Sequence, residues 1–276
     1  MTVINNTVIT SDAGKLRTDS GNGRLYAWGD ETFRSVTNYL NAMGKPWLGA
    51  WAAKMVAEYA YDRRDKWDDL TKAEAVRLLK GAPWDKRDAA ADVGTAVHAA
   101  IEALVLGQSP PSYPPEIAEH MANFDRFVSD YRPEWYAAEA SVFNRKYGYA
   151  GTLDGIVGIG GRTYIMDVKT SKALYGDTFP LQLAAYANAE FVGLPDGTEG
   201  DLPAVDGGLI LHLTADDYRL VQVRIDDEVF KAFLYLVQVY KWQNDVSKSA
   251  LLDQLPVPTS AIVANAAEKL GAEVIA

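Results

Sequence analysis

Apolar and polar positions change period along the chain, and each change predicts an element. Residues 1–23 are polar and rich in Gly, Asn, Ser and Asp, and read as a strand fragment or a loose lead-in before a strand opening at Arg24-Leu-Tyr-Ala-Trp28. Ser35 or Thr37 can cap a short helix ending near Gly44, and Lys45-Pro46 marks the break before the next. From Trp47 to Tyr61, Leu48, Trp51, Ala52, Met55, Val56 and Tyr59 fall on one helical side. A further helix is expected from Thr71 to Lys80, and a separate alanine-rich helix from Asp88 to Leu106, with Pro83 between them. Pro/Ser/Gly content marks residues 107–115 as a loop, and 116–131 as a helix with Ile117, Met121, Phe124 and Phe127 as its apolar face.

Beyond Trp135 the period shortens to two. Trp135–Phe143 reads as a strand with Glu139 inside it. Two apolar runs, Gly151–Ile159 and Thr163–Val168, flank Gly160-Gly161 and predict a tight hairpin. A helix starting at Asp177-Thr-Phe-Pro180 ends before Gly193 and Pro195, and an acidic, glycine-rich loop runs to Gly207. Gly208–Leu213 and Leu220–Ile225 form a second hairpin around Asp216-Asp217, Asp227–Asn244 is a final amphipathic helix, and the tail from Pro256 carries no motif. The order helix, strand, hairpin, helix, strand predicts an α/β fold with an αβββαβ core on a mixed sheet. Residues 1–87 are then an N-terminal lead-in and helical region packed on the core, 88–250 the core and 251–276 a tail.

The chemistry gathers in the central hairpin. Alternation puts Ile165, Asp167 and Lys169 on one face and Tyr164, Met166 and Val168 on the other. Asp154 stands in the partner strand. Charges in apolar strands cost several kcal/mol unless paired or bound to metal. The plain alternative is a structural Asp–Lys pair with Asp154 in a turn. Two hard oxygen ligands, a third from the Val168 carbonyl, and a lysine to steer water or phosphate are also what divalent-metal phosphodiester cleavage requires.

Composition narrows the setting. The 276 residues are 48% hydrophobic and 23% charged, as in an ordinary globular protein. No cysteine is present, so disulfides, thiolate zinc and cysteine-bound iron–sulfur clusters are excluded from this chain. No apolar run reaches the ~20 residues of a membrane span, and a soluble, cytoplasmic protein is expected. The net charge of −10 opposes polyanion binding unless a local basic track exists, for which Arg63, Arg64, Lys66, Lys86, Arg87, Arg145, Lys146 and Lys172 are candidates.

The spacing Asp154…Asp167-Val168-Lys169 resembles the PD-(D/E)xK nuclease superfamily. Gly94-xxx-His98, Gly151-Thr-Leu-Asp154 and Gln182-xxx-Tyr186, in that order around it, are similar to its RecB-type branch, including phage-encoded exonucleases. Each motif alone is weak, and the set is specific. The resemblance covers about Asp88 to Ile225 and implies a restriction-endonuclease-like core with His98, Asp154, Asp167 and the Val168 carbonyl on Mg²⁺ or Mn²⁺. Lys169 would orient or deprotonate the attacking water, and Gln182 and Tyr186 would position the nucleotide and the lysine. Glu139 is a candidate supporting or metal-side acid. Glu102, four residues after His98, either supports that histidine or faces solvent. Ser35 and Thr37 at a helix start are weaker candidates for a terminal phosphate. His212 reads as structural and His120 as a surface residue.

The resemblance thus implies a metal-dependent DNA exonuclease of phage recombination or DNA processing, acting in the bacterial cytoplasm. Its partners would be DNA, a single-strand annealing or recombination protein, and further copies of itself. A structure-selective or restriction-type endonuclease keeps the same motifs. A non-catalytic DNA-binding protein and an acidic interaction scaffold are the alternatives from outside enzymology.

Overall fold

The Gly160-Gly161 turn closes with φ of +59° and +77°, the pair of positive angles a two-residue hairpin of this hand demands. This comes from a computed structural model that describes residues 8–11, 16–20, 23–108, 113–174, 178–253 and 255, with the backbone alone for residue 20 and residues 85–90. The expected helix start at Asp177, the side chains of Lys86 and Arg87, and the tail from Pro256 lie outside the described residues.

The hairpin arms are β5 (Tyr149–Ile159) and β6 (Arg162–Lys169), preceded by β4 (Glu134–Asn144). β4 pairs antiparallel with β5 between Tyr149 and Gly158, with a register shift between Trp135 and Ala137, while β6 pairs antiparallel with β5 only from Gly155↔Met166 to Ile159↔Arg162. β9 (Gly207–Leu213) runs parallel to β6, and β10 (Tyr218–Val223) antiparallel to β9. The N-terminal region opens with the expected strand at Arg24–Trp28 and two more around it: β1 (Arg17–Ser20), β2 (Gly23–Trp28) and β3 (Glu31–Ser35) form an antiparallel meander, and β3 joins β5 in parallel at Arg34↔Tyr149 and Ser35↔Ala150. Short strands β7 (Phe191–Gly193) and β8 (Glu199–Gly200) extend the β4 side. The chain is therefore of the α/β class, built on a mixed sheet of ten strands among the described residues.

Helix α1 (Val36–Leu40) follows β3 directly, and α2 (Pro46–Asp62) begins at the proline. The two helices expected on either side of Pro83 are one: α3 runs from Lys72 to Val105. Its start is fixed by a capping box between Thr71 and Glu74. Pro83 removes one backbone donor, but its fixed φ suits a helix, so the helix continues past a single missing bond. Helices α4 (Ala118–Tyr131), α5 (Thr178–Ala187) and α6 (Asp227–Asn244) follow the expected periodicity. One face of the sheet, with Val157, Met166, Val168, Leu209 and Leu211, packs under α3 and α4 against Val97, Ile101, Ile117, Phe124 and Phe127. His120 is buried in α4, 8% exposed, because it shares the stripe of Ile117, Met121 and Phe124; it is not a surface residue.

By contacts the chain divides into residues 1–238 and 239–276. The second unit holds the last turns of α6 and a short 3-10 helix (Val246–Ser249), with Trp242, Leu251, Leu252 and Leu255 exposed. No helix among the described residues is long and apolar enough to cross a membrane.

Candidate active site

β3 and β6 use the same edge of β5 but different lengths of it. β3 leaves at Ala150 and β6 joins at Gly155, so Gly151–Asp154 lies in a fork of the sheet. Inside the fork the ladder is replaced by side-chain contacts. The Val168 backbone N–H donates to Asp154 Oδ2 at 2.7 Å, and the Tyr26 and Thr152 hydroxyls meet at 3.1 Å.

Three elements deliver donors to this point. His98, on α3, places Nδ1 at 3.6 Å from Glu139 Oε1 of β4 and 3.6 Å from Asp154 Oδ2 of β5. One donor atom from each of these three residues lies within 4.8 Å of the others. Glu139 reaches the group because its backbone is left-handed, φ +46°, inside a strand, a strained state for a residue with a Cβ. A narrow pocket beside them, with room for a water-sized species, is lined by His98, Glu102, Trp135, Glu139, Asp154 and Val168. Glu102 thus turns toward the site, not away from it.

Asp167 sits deeper, 3% exposed, and outside that trio. Lys169 Nζ is 2.5 Å from its Oδ2, and Gln182 Nε2 donates to its Oδ1 at 3.2 Å. The same Gln182 nitrogen is 3.3 Å from the Tyr186 hydroxyl, so α5 presents the amide and the phenol together. Tyr186 fits there because Gly151 has no Cβ; a methyl group would collide with the ring. The Lys169 ammonium also stands 5.1 Å from the Phe179 ring centroid.

The electrostatics follow from burial. Burial opposes charge on His98, but Asp154 and Glu139 outweigh it and raise its pKa to about 9. Burial pushes Asp167 up to about 6, with Lys169 offsetting part of the effect. Burial likewise raises Asp154, against the pull of His98 and Lys169. Burial lowers Lys169, yet Asp167 and Asp154 more than restore it, and it ends above its ordinary value. Glu102 is raised by burial and by the charge of Glu139.

Of the sequence candidates, His98, Glu102, Glu139, Asp154 and Val168 line one pocket, and Asp167, Lys169, Gln182 and Tyr186 form an adjoining hydrogen-bonded set. Ser35 caps a helix: its hydroxyl is buried, 1% exposed, and is engaged by the Thr37 backbone N–H at 3.2 Å and the Thr37 hydroxyl at 2.5 Å. The α1 helix it caps has only five residues. Of the cations named for a phosphate track, Arg63, Arg64, Lys66 and Arg145 are in ion pairs with Asp65, Asp68, Asp65, and Glu31 and Glu199, respectively.

No family model matches the chain, and no curated protein matches it. Solved structures similar to part of it include one titled "Crystal structure of SSO0001", 16% identical over 46% of this chain, with a TM-score of 0.28. The matched region is 58% of that chain, less than two thirds of its length.

Proposed function

We propose that the chain is a metal-dependent deoxyribonuclease with a PD-(D/E)xK-type core, and that its reaction is exonucleolytic. The carrying observation is the convergence of His98, Glu139 and Asp154 from three separate elements, beside a lysine paired to a second buried acid. The element order α3, β4, β5, β6, α5, β9 supports the same reading, with α4 inserted after α3 and β7–β8 after α5.

The donor set fits a divalent cation. Two carboxylates facing one pocket repel each other, and a cation between them removes that cost. An imidazole among the donors suits Mn²⁺ better than Mg²⁺, which favours oxygen ligands throughout. His98, Glu139 and Asp154 would hold the ion, with the Val168 carbonyl as a further donor at the same pocket. A bound cation would polarise the phosphodiester and lower the pKa of a water.

The remaining chemistry belongs to the protein. Lys169 holds an ammonium at the mouth of the buried acid, where it can meet the charge that builds on a phosphate oxygen. Asp167 keeps that ammonium in place and charged. Gln182 donates to the Asp167 carboxylate from α5 and to the Tyr186 hydroxyl, so the acid that pairs with the lysine is itself held in place. Glu102, its pKa raised by burial and by the charge of Glu139, adds a further carboxyl to the lining of the pocket.

The test is digestion of end-labelled linear duplex, single strands and covalently closed circular DNA with Mn²⁺ or Mg²⁺. The expected outcome is loss of linear ends, sparing of the closed circle, and no activity in Asp154→Asn or Lys169→Ala. Cutting of the closed circle would make the enzyme an endonuclease. Inert native protein with either metal would end the nuclease reading.

A further inference from the structure

Lys169 stands in a row of polar side chains that crosses three strands on the α5 face of the sheet. Register places His212 of β9 beside Lys169, and Arg219 of β10 beside His212. His212 is 2% exposed, and both of its ring nitrogens are engaged. Nε2 lies 2.6 Å from the Ser171 carbonyl oxygen, and Nδ1 lies 3.0 Å from Arg219 Nη2.

These two partners leave no choice of tautomer. A carbonyl only accepts, so Nε2 must carry the proton; a guanidinium only donates, so Nδ1 must be bare. The ring is therefore a neutral bridge from the β10 guanidinium to the carbonyl two residues beyond Lys169. From Ser171 the constraint spreads in two directions. Lys169 is held at its strand end, and Thr170 is held against α3, where its Oγ1 lies 3.2 Å from where a Cβ on Gly94 would stand. Gly94 is one helical turn before His98, so the same short segment touches the elements carrying both the lysine and the imidazole.

We infer that His212, oriented by Arg219, is a positioning residue for Lys169 and clamps residues 169–171 between the sheet and α3. It touches no substrate; it acts through the Ser171 carbonyl. The kinetic part of this inference rests on the nuclease reading above, and the structural part does not.

The experiment uses the full chain and its His212→Gln, His212→Leu and Arg219→Met variants. A glutamine amide offers one neutral donor and one acceptor, as this tautomer does; leucine offers neither. Hydrogen exchange of amides 170–174 and trypsin cleavage after the exposed Lys172 are read without any need for activity. His212→Leu is expected to speed exchange in this segment about tenfold, with β5 and α3 unchanged, and His212→Gln to stay near native. Should His212→Leu not fold, Arg219→Met at an exposed position supplies the loosened form, and the same exchange gain is expected. Native ¹⁵N spectra should show Nε2 protonated and Nδ1 bare. Native-like exchange in the loosened variant, a His212→Gln as loose as His212→Leu, or a protonated Nδ1 would each overturn the clamp. On end-labelled DNA, His212→Leu, or Arg219→Met in its place, should lower kcat about tenfold with KM unchanged, and His212→Gln should restore it. A KM change alone would refute positioning. If native protein degrades no DNA, the nuclease reading falls and the exchange and ¹⁵N measurements still decide the clamp.

Discussion

The Val168 backbone N–H donates to the Asp154 carboxylate at 2.7 Å, in place of the strand-to-strand bond that the ladder would otherwise make there. One acid thus terminates the pairing of β5 and β6 and faces the imidazole of α3. The fork this creates gives the site its depth. A continuous ladder would bury the edge of Gly151–Asp154 under backbone, whereas the opened edge admits Tyr186 from one side and His98 from the other.

Glu139 carries a cost that its position reveals. A left-handed residue with a Cβ is strained by about 1 kcal/mol or more, and glycine is not. Glu139→Gly should therefore be more stable than Glu139→Ala by ~1 kcal/mol, although both lose the same carboxylate. Both should bind Mn²⁺ poorly. Urea denaturation of the two variants measures the difference, and equal midpoints would remove the strain argument.

Stability of the metal-free protein should fall as pH rises. His98 has a folded pKa of about 9 against an ordinary 6.5, so its contribution is complete below pH 6.5 and is lost as pH climbs through 9. The imidazole is 30% exposed, which limits the change to about 2 kcal/mol. His98→Gln should flatten the curve across that window. Mn²⁺ competes with the same proton, so its affinity should rise over the same interval, as calorimetry at pH 6.5 and 8.5 would register.

The hairpin, the acids and the helix carrying His98 were legible because a period of two, a glycine pair and a period of 3.6 leave strong marks. β3 was not, and β1 showed only as one of two readings of a polar lead-in: Glu-Thr-Phe-Arg-Ser and Arg-Thr-Asp-Ser have little apolar alternation and owe their pairing to backbone bonds with β2. Continuity of α3 through Pro83 was hidden because proline ends most helices, and here a 34-residue helix absorbs it. Glu139 gave no sign of its backbone, since left-handed residues usually announce themselves as Gly or Asn. His120 could have been found, three residues after Ile117 on an apolar stripe. The partners of His212 could not, because Ser171 and Arg219 meet it only through tertiary pairing.

Gly151 and Tyr186 should behave as one unit. A Cβ at Gly151 collides with the buried Tyr186 ring, so Gly151→Ala must displace the phenol from beside Gln182. A loss of ~1–3 kcal/mol is expected, the usual cost of overpacking. Tyr186→Ala removes the obstacle, and adding Gly151→Ala to it should then cost under about 0.5 kcal/mol. A double-mutant cycle by thermal denaturation checks the coupling; additive losses would mean that the ring is not what excludes a side chain from position 151.

Removing the ammonium tests how the buried acid is held. Asp167 is almost wholly inside, its burial already raises it to about 6, and Lys169 is the group that offsets part of that rise. Lys169→Met should therefore raise the Asp167 pKa further and destabilise the metal-free protein at neutral pH by ~3 kcal/mol, the usual cost of leaving one partner of a buried pair. The sign with pH follows from an elevated acid: the folded state takes up its proton first, so the loss should shrink as pH falls below the raised value and grow as pH rises. Adding Asp167→Asn removes the orphaned charge and keeps an oxygen to accept from Gln182, so the double variant should regain most of the stability while staying inactive. Denaturant midpoints for the single and double variants at pH 5 and 8 measure this. A Lys169→Met variant with the same midpoint deficit at both values would show that its defect lies in packing against Phe179 and not in the unpaired carboxylate.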